Sequence, residues 1–221
     1  MADFAEARDM VMALKNKYWT DGLYSYKGIQ KRVCFHSREI RGRKDAFNPD
    51  IIDYKSFVAD LSQLMAAIPM CIYASHIDKE RHVNQYIHPI EPYDLCMTFV
   101  LERILRDLPV NQNCVIILES RGAKEDRTVL DFIKGLINNG TRFHPASHFS
   151  RIKGVYFNPK WCKAADDRMS YWELELADLC AYPIQKFFVY GTMDLAFQVI
   201  LPKLSHYPDH MGKGLKSFPI T

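Results

Sequence analysis

The stretch Cys114–Gly122, CVIILESRG, contains the clearest strand in the chain and, at its end, an acidic residue. The run from Cys114 to Leu118 is apolar throughout and predicts a strand. Glu119 ends the run, and a turn begins behind it. An acid in this position lies at the rim of a sheet, where α/β proteins collect their functional residues. Glu119 is therefore a candidate site residue, and a solvated acid paired with Arg121 is the alternative interpretation.

Periodic patterns extend on both sides of this strand. Apolar residues at three- and four-residue spacing predict helices, and short apolar runs predict strands. The predicted helices are Phe4–Tyr18, Asp50–Ala67, Pro92–Leu108, Glu125–Asn138 and Glu173–Phe188. The predicted strands are Met70–Ser75, Cys114–Leu118 and Gly154–Phe157, after a short β-leaning segment at Val33–His36 and a polar connection at Asp21–Gln30. This alternation indicates an α/β fold, and we expect the three strands to lie in one mostly parallel sheet with the final helix packed across it.

Length and composition limit the class of protein. The 221 residues, 48% of them hydrophobic and 25% charged, suit one large α/β domain. No apolar run approaches the roughly 20 residues that a bilayer requires, and the first residues do not resemble a secretory signal. A cytoplasmic protein without a membrane partner is expected. Six cysteines without a C-x-x-C pair predict reduced thiols, and the net charge of +3 does not by itself indicate nucleic-acid binding.

A second acid, Asp178, lies in an apolar helical segment. An acid on so apolar a surface normally needs a partner or a metal ion. Two carboxylates from separate elements, Glu119 and Asp178, suit a divalent cation with oxygen ligands. The apolar neighbours of Asp178 are Leu174, Leu176, Ala177, Leu179 and Ala181.

Five motifs, in order along nearly the whole chain, resemble one protein family. They are His36-Ser-Arg-Glu-Ile40, Glu102-Arg103, Glu119-Ser-Arg-Gly122 with Asp126, Ala177-Asp-Leu179, and Gly212–Lys216 with Phe218-Pro219. Together they resemble the domain-of-unknown-function family 3800, which is similar to ribonuclease H-like nucleases. The resemblance implies one ribonuclease H-like domain over residues 1–221, with a mixed sheet flanked by helices. Residues 1–69 would form a largely helical insertion before the third strand of the family.

The resemblance also implies a divalent-metal-dependent nuclease that uses Mg²⁺ or Mn²⁺. Glu119 matches the acid of the family's fourth strand, and Asp178 matches the acid of its final helix. His36 matches a histidine that often follows the second strand. Glu175, where many members carry glutamine, is a further candidate metal ligand near the start of a helix.

The family's opening strand, which ends in Asp-Glu-Ser-Gly and supplies the central metal ligand, has no counterpart before the first predicted helix. A start codon assigned too far downstream, a shortened chain and a natural remnant are the three explanations. We therefore expect open sheet edges, through which a homo-oligomer could form, and a metal site short of one ligand.

A basic segment provides the case for a nucleic-acid partner. Residues 27–44 hold seven basic side chains against one acid, Glu39, with Tyr24, Tyr26 and Phe35 nearby. This composition suits a surface that follows a phosphate backbone, and a merely solvated loop is the alternative. Arg121, beside Glu119, could hold a phosphate with two hydrogen bonds or neutralise that acid. The candidate nucleic-acid contacts are Arg38, Arg41, Arg43, Lys44 and Arg121.

Two histidine pairs, His144 with His148 and His206 with His210, have the spacing of a helical zinc site. A proline interrupts each pair, so loop histidines are expected instead. Two functions remain open. One is a nuclease, inactive if the chain is truncated, and the other is a non-catalytic remnant that binds nucleic acid or a protein.

Overall fold

The computed structural model describes residues 2–159 and 171–219. The helices are α1 (Ala2–Tyr18), α2 (Ser37–Gly42), α3 (Tyr54–Ala67), α4 (Lys79–Gln85), α5 (Pro92–Asp107), α6 (Ala123–Asn139), α7 (Ala146–Phe149), α8 (Trp172–Tyr190) and α9 (Leu195–Ile200). The strands are β1 (Leu23–Tyr26), β2 (Ile29–Arg32), β3 (Ala74–Ile77), β4 (Cys114–Glu119), β5 (Ile152–Asn158) and β6 (Leu215–Phe218). The α/β class predicted from the sequence is confirmed, with small parallel and antiparallel sheets flanked by helices.

None of the helices in the described part of the chain combines the length and the apolar character that crossing a bilayer demands. The five cysteines in that part carry free thiols, and Cys162 lies outside it.

The chain forms two compact units. The first consists of the described parts of Met1–Met70 and Pro159–Pro202, and therefore holds α1 to α3, β1, β2, α8 and α9. The second consists of the described parts of Cys71–Asn158 and Lys203–Thr221, and holds β3 to β6 and α4 to α7.

Aromatic rings form the centre of the first unit. Phe57 of α3 is fully buried, and its ring centroid lies 5.4–5.7 Å from those of Tyr18, Trp19, Phe35 and Phe47. The contacts are tilted or edge-to-face, which is the favoured geometry for aromatic pairs. Helix α3 begins where Asp53 accepts hydrogen bonds from the backbone N–H and the hydroxyl of Ser56, a typical N-terminal cap.

The polar connection predicted at Asp21–Gln30 is wrong, because this segment contains most of an antiparallel hairpin. Strands β1 and β2 pair from Leu23 with Arg32 to Tyr26 with Ile29. The two turn residues, Lys27 and Gly28, both have positive φ, at 51° and 76°. Two-residue hairpin turns with this geometry match the natural twist of the strands.

The second unit contains two separate parallel pairs, and the expectation of one sheet is wrong. Strand β4 pairs with β5, from Cys114 with Ile152 to Glu119 with Asn158. Strand β3 instead pairs with β6, near the end of the chain. No strand of the described residues hydrogen-bonds to both pairs, so the two pairs form separate sheets. An oligomer formed through the remaining strand edges stays a prediction.

An apolar core packs one face of the β4–β5 pair against helices of the second unit. Its fully buried members include Leu105 of α5, Ile133 of α6 and Phe149 of α7. Alternate residues of β4 follow this arrangement, since Ile116 packs against the core and Val115 is exposed. Gly140, with φ of 71° and ψ of −158°, ends α6 in a conformation that favours glycine but is not the left-handed helical one, and a Cβ there would lie 2.4 Å from the backbone oxygen of His144.

Asp107, the last residue of α5, collects four donors within the second unit. Its carboxylate accepts hydrogen bonds from Tyr73, Arg106, Ser205 and His206 at 2.8–3.0 Å. Burial opposes ionisation of this carboxylate, but the four hydrogen bonds outweigh burial and hold the pKa of Asp107 well below its ordinary value.

Asp107→Asn should therefore lower the free energy of unfolding at pH 7 by about 2 kcal/mol. Because the pKa is depressed in the folded state, the parent has this contribution in full above the unfolded-state value near 3.8 and loses it as the pH falls through the folded-state value. Urea unfolding at pH 7 and pH 3 should show the gap between parent and variant narrowing at the lower pH. Asp131→Asn, at an exposed position on α6, is the control. A gap that stays constant over this range would contradict the prediction.

Candidate functional site

Glu175 of α8 is fully buried in the first unit, and both of its oxygens are used. Its Oε1 lies 2.8 Å from Nζ of Lys15, a side chain that is only 1% exposed. Its Oε2 accepts the backbone N–H of Phe35 at 2.8 Å. Lys15 also lies 5.0 Å from the centroid of the Phe35 ring. The structure thus gives Glu175, predicted as a metal ligand, the role of neutralising a buried lysine and satisfying a buried amide.

Asp178 lies one helical turn further along α8 than Glu175. It binds the backbone two residues after Phe35. Its Oδ2 accepts the backbone N–H of Ser37 at 2.7 Å. Ser37 is the first residue of α2, and His36 before it makes no side-chain cap. Asp178 therefore supplies from another helix the acceptor that a capping residue normally provides. Three predicted site residues, His36, Glu175 and Asp178, thus meet at the contact between α8 and the 33–37 segment.

The β-leaning segment at Val33–His36 is extended at His36 but forms no strand pair among the described residues. Its N–H groups at Phe35 and Ser37 bind carboxylates of α8 instead of a neighbouring strand. Its side chains are buried at Val33, Cys34 and Phe35, as the apolar sequence suggests.

The predicted basic contacts lie on α2 and directly after it. The guanidinium of Arg41 lies 3.4 Å from the ring centroid of Tyr182, and its Nε donates to Oγ of Ser37 at 3.4 Å. The guanidinium of Arg43 lies 5.0 Å from the ring centroid of Tyr54. Arg38 and Lys44, like these two, are exposed to solvent. All four cations can therefore meet a ligand from solution, and two of them are oriented by tyrosine rings.

The hairpin repeats this arrangement. Lys27 and Lys31 lie 5.4 Å and 4.3 Å from the ring centroid of Tyr26. Both lysines are exposed. Of the three aromatic residues expected near this segment, Tyr26 lies beside basic side chains, whereas Tyr24 and Phe35 are buried.

Glu119 ends β4 in the second unit and is exposed, as the strand-end prediction requires. The turn behind it is held by Asp126, which accepts the hydroxyl of Ser120 at 2.5 Å and the backbone N–H of Arg121 at 2.8 Å. The Arg121 guanidinium lies 5.9 Å from the ring centroid of Tyr93, so it is placed over an aromatic ring near the strand end. Gly122 has φ of 119°, a conformation that favours glycine before α6 begins.

A cation site shared by Glu119 and Asp178 stays a prediction, since the first belongs to the second unit and the second to the first unit. Over residues 2–159 and 171–219, no group of three or more His, Cys, Asp or Glu side chains is arranged to hold a metal ion. An exposed carboxylate such as Glu119 suits Mg²⁺ or Mn²⁺ by its hard oxygens, whereas Glu175 has both oxygens engaged.

The histidine pairs have other contacts. The rings of His144 and His148 stack at 4.3 Å between centroids, and only the second belongs to a helix, α7. His206 binds Asp107, and His210 binds the backbone oxygen of Pro208, both outside helices. Loop positions were expected for these residues, and only His148 departs from that expectation.

Lys15 is the site residue that the sequence pattern did not reveal. It lies on the apolar stripe of α1, one residue after Leu14 and four after Val11, where a lysine is unusual. Such a lysine indicates a buried acid elsewhere, but the pattern alone does not say which acid it pairs with.

Comparison with protein-family models, with curated proteins and with solved structures gives no match to this chain.

Lys15→Met leaves the carboxylate of Glu175 buried without its cation. We expect the free energy of unfolding to fall by about 3–5 kcal/mol, as for other buried pairs that lose one partner. Urea denaturation measures the change. Lys15→Met combined with Glu175→Gln should recover part of it, because the glutamine oxygen can still accept the N–H of Phe35.

The matched control is Lys17→Met, two residues along the same helix. Lys17 is 59% exposed and pairs with Asp60 at the surface, so the expected loss is under about 1 kcal/mol. Equal losses for the two lysines would show that the buried pair has no special role.

Proposed function

We propose that the chain binds nucleic acid through the basic surface formed by the β1–β2 hairpin, α2 and residues 43–44. The observation that carries the proposal is the stacking of Lys27, Lys31, Arg41 and Arg43 on three tyrosine rings. Seven basic side chains and one acid give residues 27–44 a net charge of +6, whereas the whole chain carries only +3. The positive charge is therefore concentrated in one segment.

This geometry suits a flexible, phosphate-rich ligand. A guanidinium stacked on a ring keeps its N–H donors in its own plane, parallel to the ring and directed outward, where they can bind phosphate oxygens. Tyrosine rings beside the cations offer surfaces on which unpaired bases can stack. Single-stranded DNA or RNA offers both partners, so it is the proposed ligand class.

The attachment of α2 to α8 supports the same proposal. Helix α2 is attached to α8 by the bond between Asp178 and the N–H of Ser37, which settles the start of the helix. Arg41 then rests on Tyr182 of the same α8. The basic residues of α2 are thus presented from a supported helix rather than from a loop that solvent alone surrounds.

The test uses a triple variant, Arg38→Gln with Arg43→Gln and Lys44→Gln, in fluorescence anisotropy with a labelled single-stranded oligonucleotide. Removing three phosphate contacts should reduce the slope of log affinity against log salt by about 2, at roughly 0.7 for each contact. Affinity at low salt should fall on the order of tenfold or more. The reason is the loss of counterion release at these positions.

The control triple removes the same charge from exposed positions of α6, by Lys124→Gln, Arg127→Gln and Lys134→Gln. It should leave affinity and slope close to those of the parent. Equal losses from both triples would mean that net charge alone drives binding, and absence of binding to the parent at low salt would refute the proposal.

We propose metal-dependent phosphodiester cleavage as a second function, supported by the exposed Glu119 carboxylate beside Arg121 and by the family resemblance. Glu119 would hold Mg²⁺ or Mn²⁺, and the resemblance assigns Asp178 and the aspartate of an Asp-Glu-Ser-Gly strand to the same role. The cation would supply an activated water and would stabilise the leaving oxygen. Arg121 would hold the phosphate, and His36 would stand near Asp178 through its neighbour Ser37.

Cleavage of labelled DNA and RNA is measured with Mg²⁺, with Mn²⁺ and with a chelator. The assay uses this chain and also a longer protein product, which includes any residues encoded upstream of Met1 in the same reading frame. Glu119→Gln should reduce metal-dependent cleavage by at least about a hundredfold, since one ligand of the cation is lost. Glu125→Gln, on the first turn of α6, removes an exposed acid nearby and should cleave as the parent does.

Asp178→Asn should abolish cleavage in the same assay. It retains a side-chain oxygen for the N–H of Ser37, and a thermal melt checks that the variant is folded. If neither product cleaves, or if Glu119→Gln cleaves like the parent, the enzymatic function is wrong for this chain.

A further inference from the structure

A cavity of about 180 Å³ lies within the first unit, between α2, α3, α8 and α9. Most of its wall is aliphatic. The side chains that form this apolar wall include Val58, Leu61, Met65, Leu179, Val199 and Ile200.

The size of the cavity suits a small apolar body. An engineered cavity of about 150 Å³ lined by similar side chains stays dry and binds benzene. The present cavity is slightly larger, so it has room for a single aromatic ring or an aliphatic chain of about six carbons.

The hydroxyl groups of Tyr54 and Ser62 at the wall are already engaged as donors, and that of Ser37 accepts Nε of Arg41. The hydroxyl of Ser62 donates to the backbone oxygen of Val58 at 2.9 Å, and that of Tyr54 donates to the backbone oxygen of Ile40 at 2.9 Å. A polar body in the cavity would therefore lose its hydrogen bonds to water without an equivalent return from these donors. The interior selects an apolar ligand.

One cation stands at the wall of the cavity. Arg41 has its Cζ 3.4 Å from the ring centroid of Tyr182 and uses Nε for Ser37, and the described residues form no ion pair or hydrogen bond with its two terminal NH₂ groups. These groups present the paired donors that a carboxylate accepts.

The surroundings of Arg41 add positive charge. The hydrogen bond and charge of Asp194 raise the pKa of Lys186, and the positive charge of Arg41 opposes that rise. Arg41 and Lys186 therefore lie close enough to repel each other. Lys186 is paired with Asp194 at 2.9 Å, which leaves the charge of Arg41 for a ligand.

We propose that this cavity binds a small apolar monocarboxylic acid, with its hydrocarbon body between α3, α8 and α9 and its carboxylate on the guanidinium of Arg41. The proposal does not depend on nucleic-acid binding. The two are separable because Arg43 belongs to the basic surface and does not line this cavity.

The experiment titrates the full chain with hexanoate and with 1-hexanol, followed by calorimetry and by ¹H–¹⁵N chemical shifts. Hexanoate should bind saturably, with shifts concentrated on α2, α3, α8 and α9, and more tightly than the alcohol of the same chain length. Arg41→Gln should weaken hexanoate binding by about tenfold or more, the effect of losing a charged hydrogen-bonding partner, and should leave hexanol binding unchanged.

Arg43→Gln is the matched control. It removes the same charge from an arginine that also rests on a tyrosine, and hexanoate binding should stay as in the parent. Nucleic-acid binding responds to Arg43, so a failure of one proposal is distinguishable from a failure of the other.

Filling the cavity tests the site of the hydrocarbon body. Val199→Phe on α9 should abolish binding of both hexanoate and hexanol, and Ser62→Leu on α3 provides a milder replacement if the first variant does not fold. Thermal melts establish folding before titration. The proposal is overturned if the parent does not bind hexanoate, or binds it no more tightly than hexanol. It is also overturned if hexanoate binding is unchanged in Arg41→Gln or retained in a folded cavity-filled variant.

Discussion

The first unit depends on a buried ion pair. Lys15 of α1 and Glu175 of α8 are both shielded from water, and the second carboxylate oxygen of Glu175 binds the backbone N–H of Phe35. A buried charge is costly unless it is paired and its remaining hydrogen-bonding capacity is filled. These two contacts meet that condition only when α1, α8 and the chain at Phe35 come together. The pair therefore favours the arrangement that brings these three distant segments together.

The same constraint connects the fold to the proposed binding surface. Asp178 follows Glu175 by three residues, so the two carboxylates lie on one side of α8 and bind N–H groups at Phe35 and Ser37, two residues apart. An extended segment directs alternate N–H groups to the same side, which matches this spacing. Helix α2 then starts at a defined point, and Arg41 reaches Tyr182 on the next turns of α8. Glu175 and Asp178 thus have structural roles on α8, and through those roles they position the basic side chains of α2.

Local signals in the sequence predicted what local interactions determine. Helices α1, α3, α5, α6 and α8 follow their apolar periodicity to within a few residues, because burial of one face decides their formation. The hairpin was missed because Lys27-Gly28 is a less familiar turn than Asn-Gly. The pairing of residues 33–36 was not predicted because the carboxylate that binds the N–H of Phe35 belongs to Glu175, 140 residues away. The strand predicted at Met70–Ser75 was expected in one sheet with β4 and β5. The observed strand, β3, begins at Ala74 and pairs with β6, a non-local partner that local patterns do not reveal. Glu119 was placed correctly at a strand end, since that position follows from the strand alone.

Arg41 links the two ligand proposals in energetic terms. Its guanidinium has one face on Tyr182, so its free donors can serve either a phosphate on the basic surface or a carboxylate at the cavity, and one group of donors cannot fully satisfy both. A carboxylate bound there would lower the net charge of residues 27–44 from +6 to +5. By linkage, an acid that weakens nucleic-acid binding must itself be weakened by nucleic acid to the same factor. The coupling is confined to one contact among several phosphate contacts, so it would modulate nucleic-acid affinity without abolishing it.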